Sequence, residues 1–301
     1  AKSRTADRFN PSSVWIPTYP EMESPRVASL LPGWTETVLA LGGLNRLVGI
    51  SHECTVPSDS SIPRIHKLTR GKFDSTQMTS HEIAAVHNAS TRNIALASMF
   101  ASQYNDTHIR NLVEFNLCSF YHIDLMALIN ASPNVILTQV ELGSGAVTLE
   151  EIEQAVRLVL GNPKVQVLSY NPSTLNEIYA MTMQIASECQ LDGQSLVSAT
   201  KKALREQRSF YMVHAETIKN EYGWSMKSCA VVQWLDPLYI AGGWVPEVIY
   251  EVFGIEDCCC RPGGPSLPST WHDLEYKAPD FLFIAPCAMD LRQTKIEMNR
   301  I

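Results

Sequence analysis

His52, Glu53 and Cys54 bring an imidazole, a carboxylate and a thiol to one turn, at the end of the apolar run Leu47–Ile50. Imidazole nitrogen and thiolate sulfur are both good donors to soft metals, so this turn could offer an axial ligand, His52 foremost. The same residues can equally cap nearby backbone groups, with Cys54 buried as a small hydrophobe. Trp34, Trp234 and Trp244 each lie close to Pro or Gly, where an apolar run gives way to a helical pattern. Their faces suit a flat ligand, or packing between elements. Gln139 and Asp236 could hydrogen-bond a ligand's polar groups or satisfy their own loops. Cys287 follows the apolar run Phe281–Ala285 and could face Cys54, provided that the two Cα atoms come close. Cys258, Cys259 and Cys260 are consecutive, so their side chains diverge; they read as a loop anchor, with redox chemistry as the other option. His81, His87, His108 and His122 show no helical HxxxH spacing. There is no GxSxG elbow, GxxxxGK[ST] loop or GxGxxG turn, so motif chemistry points to binding rather than catalysis.

Those residues need elements to hold them. Val27–Leu31, Leu47–Ile50, Val135–Thr138, Val165–Leu168, Ala230–Trp234 and Phe281–Ala285 read as short buried strands. Thr35 is placed to cap a helix that Gly42-Gly43 ends. Leu149–Leu160, Pro172–Cys189, Gln194–Lys219, Pro246–Phe253 and Trp271–Tyr276 carry helical patterns, and Asn111–Asn130 is partly helical. Strands alternate with helices in both halves, with a helical bridge between them, which predicts an α/β protein of two Rossmann-like lobes and a ligand cleft between them. The divisions are an extended arm over 1–25, a first lobe over 26–172, linking helices over 173–226 and a second lobe over 227–301. A chain of 301 residues is long enough for two such lobes. The net charge of −7, with no basic stripe, argues against nucleic acid, and no apolar run is long enough to span a membrane.

Five segments resemble the cobalamin-binding branch of the helical-backbone (class III) solute-binding proteins, relatives of the vitamin B12 and ferric-siderophore receptors. They are Ser29–Glu36 (SLLPGWTE), Arg46–Cys54 (RLVGISHEC), Pro133–Gln139 (PNVILTQ), Trp234–Glu247 (WLDPLYIAGGWVPE) and Phe281–Leu291 (FLFIAPCAMDL). The resemblance implies two α/β lobes joined by a long linking helix that forms a stiff hinge. It implies cobalamin or a related metal chelate in the cleft, and no enzymatic activity. Trp34, His52, Glu53, Cys54 and Gln139 would supply one wall, and Trp234, Asp236, Trp244 and Cys287 the other, with His52 a candidate ligand to cobalt. Glu36 and Glu247 become candidates for docking a membrane transporter. Taken alone, acids so placed serve their own helix dipoles.

The chain also departs from that pattern. Val140–Ala146 lacks the family's cysteine, Gly243 stands where a histidine is usual, residues 75–120 read as an insertion, and the family continues beyond the APC segment. These features favour a second expectation, a recruited scaffold serving as an accessory subunit of a larger assembly. A thiol enzyme or metal carrier using Cys54 and Cys287 is a third. Eight cysteines without a CxxC pair lean toward a reducing cytosolic or organellar interior. Sequons at Asn88, Asn105 and Asn130 matter only in a secreted protein, and a secreted or periplasmic location is the alternative.

Overall fold

The computed structural model describes residues 24–57, 65–71, 78–90, 121–139, 165–222, 228–287 and 289–301. In chain order the elements are β1 (Val27–Ser29), α1 (Pro32–Ala40), a 3-10 turn (Leu44–Arg46), β2 (Leu47–Ile50), β3 (His66–Lys67), β4 (Thr69–Gly71), α2 (Ser80–Ser90), β5 (Tyr121–Ile123), α3 (Leu125–Ala131), β6 (Val135–Thr138) and β7 (Gln166–Ser169). There follow α4 (Leu175–Glu188), α5 (Gly193–Tyr222), β8 (Ser228–Leu235), β9 (Leu238–Ile240), α6 (Val245–Phe253), β10 (Glu256–Asp257), β11 (Leu267–Pro268), α7 (Trp271–Lys277), β12 (Phe281–Ile284) and α8 (Leu291–Met298). The expected helix Leu149–Leu160, the turn Val140–Ala146, His108 and nearly all of the N-terminal arm lie outside the described residues.

The first sheet is parallel throughout, in the order β3-β2-β1-β6-β7. A parallel sheet covered on both faces needs nearly continuous apolar strands, and β1 and β6 are buried along their whole length. One face packs Val27, Leu137 and Leu168 against Trp34 and Val38 of α1 and Met181 and Ile185 of α4. The other packs Ala28, Ile136 and Leu68 against Leu128 and Ala131 of α3.

β8 is the axis of the second sheet. β12 runs parallel to it along one edge, while β10 and then the antiparallel β9 share the other, with β11 beyond β9. Side-chain alternation along β8 sends Ala230 and Val232 toward Leu274 of α7, and Cys229 and Val231 toward Ile249 of α6.

Between the lobes, α4 belongs to the first core, and α5 turns back and packs on α6. Arg208 lies 4.4 Å over the Tyr250 ring, and the Tyr211 and Phe253 rings are 4.6 Å apart. The 30 residues of α5 span about 45 Å, a stiff connection.

Several local expectations are corrected. Leu31, not Thr35, is the N-cap of α1; Thr35 is 1% exposed inside the helix, its Oγ1 donating within reach of Ser29 Oγ (2.8 Å) and Leu31 O (3.2 Å). The Pro32 ring, fixed at the first helical position, starts the helix earlier than the hydroxyl would. Glu36 therefore lies beyond the first turn. Within Asn111–Asn130, the strand β5 precedes the helix α3. Trp234 lies within β8 rather than at a strand-to-helix turn, because Leu238–Ile240 folds back as β9. Gly42 does end α1, at a φ of 76°.

Candidate functional site

The C-terminal ends of β1, β2, β6 and β7 emerge along one edge of the first sheet, the edge where open α/β sheets receive ligands. His52 sits there, half-buried, its Nδ1 2.8 Å from Thr69 Oγ1. The Thr69 hydroxyl also lies 3.2 Å from Ser51 Oγ and accepts from the His52 backbone N–H at 3.1 Å, which holds the ring on this turn. Burial pulls the His52 pKa down; Glu53 opposes this and Lys67 adds to it, favouring the neutral ring that a metal requires. Lys67 went unread in the sequence, yet its ammonium donates to the carbonyls of Ser51, His52 and Cys54 and so sets the shape of this turn. Glu53 is exposed beside it. Gln139, at the end of β6, donates to Asn171 Oδ1 at 3.3 Å, next to the end of β7.

Trp34 and Cys54 are placed differently. Trp34 is 9% exposed, donates from Nε1 to Thr138 O at 3.0 Å and meets Tyr170 edge-on at 5.9 Å. Little of its ring is left for a flat ligand, because α1 lays it onto the sheet. Cys54 is buried in the same cluster, with Thr35 Oγ1 3.0 Å from its sulfur, and burial raises its thiol pKa. Cys287 is exposed after β12, and neither cysteine is in a disulfide. At Cys258, Cys259 and Cys260 the loop is held by Asp257, whose Oδ1 accepts from the N–H groups of Cys259 and Cys260. Burial pushes the pKa of Cys259 up to about 12 and that of Cys260 up to about 11. Among the described residues, no group of three His, Cys, Asp or Glu is arranged to hold a metal ion.

In the second lobe, Trp234 and Asp236 come together at the β8–β9 turn, against the first turn of α2. Trp234 Nε1 lies 3.1 Å from Ser80 O and 3.1 Å from Asp236 O, and Asp236 Oδ2 lies 3.6 Å from His81 Nδ1. Trp244 is 42% exposed at the start of α6. Gly243 beside it has a φ of 60°, a conformation any side chain other than glycine's would strain, and its N–H donates to Gly264 O. Glu247 is half-buried, and its Oε2 accepts from Leu175 N–H at 2.8 Å, so it caps α4 rather than standing free on the surface. Glu36 is exposed.

A cavity of about 490 Å³ opens between the lead-in to α2 and the helix α8. Met78, Met289 and Ile296 give it an apolar side, and Asp290, Arg292, Gln293, Glu297 and Arg300 a polar one. None of the residues expected to line a site lies in it. Its principal group is Glu297, 5% exposed, whose Oε2 accepts from Ser80 N–H at 2.8 Å and Ser80 Oγ at 2.6 Å, while its Oε1 pairs with Arg300. Burial opposes its ionisation, but the Ser80 hydrogen bonds and Arg300 outweigh this and hold its carboxyl below the usual range. The FLFIAPCAMDL segment ends where the cavity begins, and that was the available signal.

The arrangement of the two lobes recurs in solved structures. A solute-binding protein from Staphylococcus epidermidis, described as possibly iron-binding, superposes with a TM-score of 0.51 at 13% identity over 92% of this chain and 83% of its own. A siderophore-binding protein from Vibrio cholerae, FhuD with Fe3+-Desferal bound, gives 0.50 at 12% over 90% and 82%. A periplasmic heme-binding protein from Pseudomonas aeruginosa gives 0.50 at 13% over 92% and 77%. The fold is that of the bilobal solute-binding proteins. No protein-family model and no curated protein matches the chain.

Proposed function

We propose that the protein binds a small metal-chelate ligand between its lobes, without catalysis. The observation that carries this reading is the cavity of about 490 Å³ between α2 and α8, within the roughly 300–1,000 Å³ of small-molecule sites. It occurs in a fold whose solved examples are described as binding heme and an iron siderophore. Cobalamin is the finer candidate, from the sequence resemblance. A corrinoid is larger than a drug-sized ligand, so the lobes would have to part to admit it. His52, Trp234 and Trp244 lie outside this cavity, so they would meet the ligand only across the parted lobes, His52 as the axial ligand and the two indoles as aromatic contacts. The raised thiol pKa values of Cys54, Cys259 and Cys260 weigh against a thiol enzyme.

The described residues include no helix long and apolar enough to cross a membrane. The periplasmic setting of the heme-binding protein makes export the favoured location, in place of the cytosolic or organellar one suggested by the cysteines. A membrane transporter would then be the partner, with exposed Glu36 better placed than Glu247 to meet it.

The test is a visible-absorption titration with aquocobalamin and, in parallel, with haemin. A saturable shift that weakens in His52→Ala supports coordination, and saturable tryptophan quenching without a shift supports binding alone. No response to either ligand sinks the proposal. A second reading, a scaffold recruited as an accessory subunit, is favoured by one observation: Trp234 and Asp236 are already engaged by α2. Size-exclusion of the protein from its native source separates the two readings, since a receptor runs as a monomer and a subunit runs with its complex.

A further inference from the structure

Cys258, Cys259 and Cys260 follow one another, and in an extended chain neighbouring side chains point to opposite faces. At the first two the structure corrects that expectation. Asp257 ends β10, and its Oδ1 accepts from Cys259 N–H at 2.8 Å and from Cys260 N–H at 2.7 Å. A carboxylate bonded to the chain just ahead of it bends the backbone directly after the strand. On the strand side, Cys258 N–H donates to Cys229 O at 2.8 Å. Cys258 and Cys259 therefore both pack against the core that holds Leu274 of α7, and their sulfurs lie 3.7 Å apart. Both side chains are half-buried, so a small reagent reaches them, whereas Cys229 and Cys260 are 0% and 5% exposed.

We propose that Cys258 and Cys259 form a modification site, at which a small-molecule disulfide joins their sulfurs into a disulfide between adjacent residues. Burial foremost, and then the contact with Cys258, push the Cys259 thiol up to about 12, so it is a weak first nucleophile. Cys258 sulfur attacks the reagent, breaks its S–S bond and expels one thiol, leaving a mixed disulfide on Cys258. Cys259 sulfur then attacks Cys258 Sγ and expels the second thiol. One S–S bond is broken and one is made in the protein. The two protein thiol protons leave on the two departing thiols, the pair is oxidised by two electrons and the reagent is reduced by two. Adjacent Cα atoms are about 3.8 Å apart, closer than a disulfide usually spans, so excess thiol should reopen the bond. The site requires no ligand in the cavity and stands apart from the function proposed above.

The experiment equilibrates the folded full chain in glutathione buffers of rising oxidised-to-reduced ratio, quenches it with acid and alkylates it unfolded. Cleavage after Glu256 and Glu275 yields a peptide whose cysteines are the three at 258–260. Mass spectrometry should find three alkyl groups on it from reduced protein and one, on Cys260, from oxidised protein. Dithiothreitol should restore all three. Cys259→Ser should stop at the mixed disulfide, with one glutathione on Cys258. Asp257→Ala removes the acceptor that bends the turn and should need a ratio about tenfold more oxidising, the scale of lost hydrogen bonds. The proposal is overturned if the wild-type peptide keeps three alkyl groups at ratios that load glutathione onto exposed Cys287, or if its missing thiols are found joined to Cys229. An unchanged midpoint in Asp257→Ala would overturn the turn as the cause of the pairing. Should that variant fail to fold, the wild-type protein and Cys259→Ser decide.

Discussion

The helix starts at Thr79 and Thr174 are built alike, each threonine hydroxyl accepting from the backbone N–H three residues on, yet the carboxylates that complete them do different work. Glu247 is half-buried and makes one bond to Leu175, in a region where Arg208, Tyr211, Tyr250 and Phe253 already pack α5 on α6. Glu297 is 5% exposed, makes two bonds to Ser80 and pairs with Arg300. A contact backed by apolar packing can be weakened without separating what it joins. A buried charge that satisfies two donors cannot, because removing it leaves polar groups dry.

The largest effect should therefore come from Glu297→Ala. It strands the N–H and hydroxyl of Ser80 in a site 1% exposed, at a cost of about 2–3 kcal/mol in urea denaturation. Glu247→Ala should cost about 1 kcal/mol, the scale of a lost helix cap. Equal losses would break the comparison. Gly242→Ala falls between these two. Its new Cβ would meet the Pro265 backbone at 2.4 Å, so the loop must move. Because Gly242 itself leads into α6, its displacement should release Glu247 from Leu175 and cost about 2 kcal/mol, as overpacking does, with faster exchange at the start of α4 and little change in α8.

Acid should distinguish the two contacts as well. The Glu297 pKa is depressed in the folded protein, so its stabilisation is fully present above the unfolded carboxylate value. It is lost as pH falls through the lower, folded one. The groups facing it are Ser80 on α2 and Arg300 just beyond α8, with Asp290 and Arg292 around the cavity and the His81–Asp236 pair and Glu82 nearby. Stability followed from neutral pH into the acid range should fall more steeply in the wild-type protein than in Glu297→Gln. Identical slopes would show that this carboxylate is not what acid removes.

Much of the scaffold was legible because its signals are local. Apolar runs such as Val135–Thr138, the glycines after α1 and the amphipathic patterns over α4 and α5 are set by neighbours in sequence. The strands β3, β4, β10 and β11 are two or three residues long, too short for a period to register. The candidate site was less legible, for a physical reason. Residue type tells that Trp34 is apolar and that Cys54 is a thiol, but not that α1 presses the indole onto Thr138 O or turns Thr35 toward the sulfur. Both T-x-x-E boxes could have been read as helix starts. Their completing carboxylates could not, since Glu247 is 72 residues from Leu175 and Glu297 is 217 from Ser80. Lys67 was missed for the same kind of reason, because backbone carbonyls leave no mark in a sequence.

The smallest effect tests whether the two boxes are equivalent once their outside partners are set aside. Thr79→Ala and Thr174→Ala each remove an N-cap hydroxyl and should each cost about 1 kcal/mol. Combining each with Gln at its partner glutamate gives two double-mutant cycles. Coupling between Thr79 and Glu297 should reach about 0.5–1 kcal/mol, because a frayed α2 no longer presents the Ser80 N–H to a buried charge. Coupling between Thr174 and Glu247 should stay within about 0.3–0.5 kcal/mol, the scatter of independent sites, since the packing of α5 on α6 holds Leu175 near Glu247 whether or not the cap is intact. If the second coupling equals or exceeds the first, the Glu247 contact depends on its cap as much as the Glu297 contact does, and apolar backing is not what separates them.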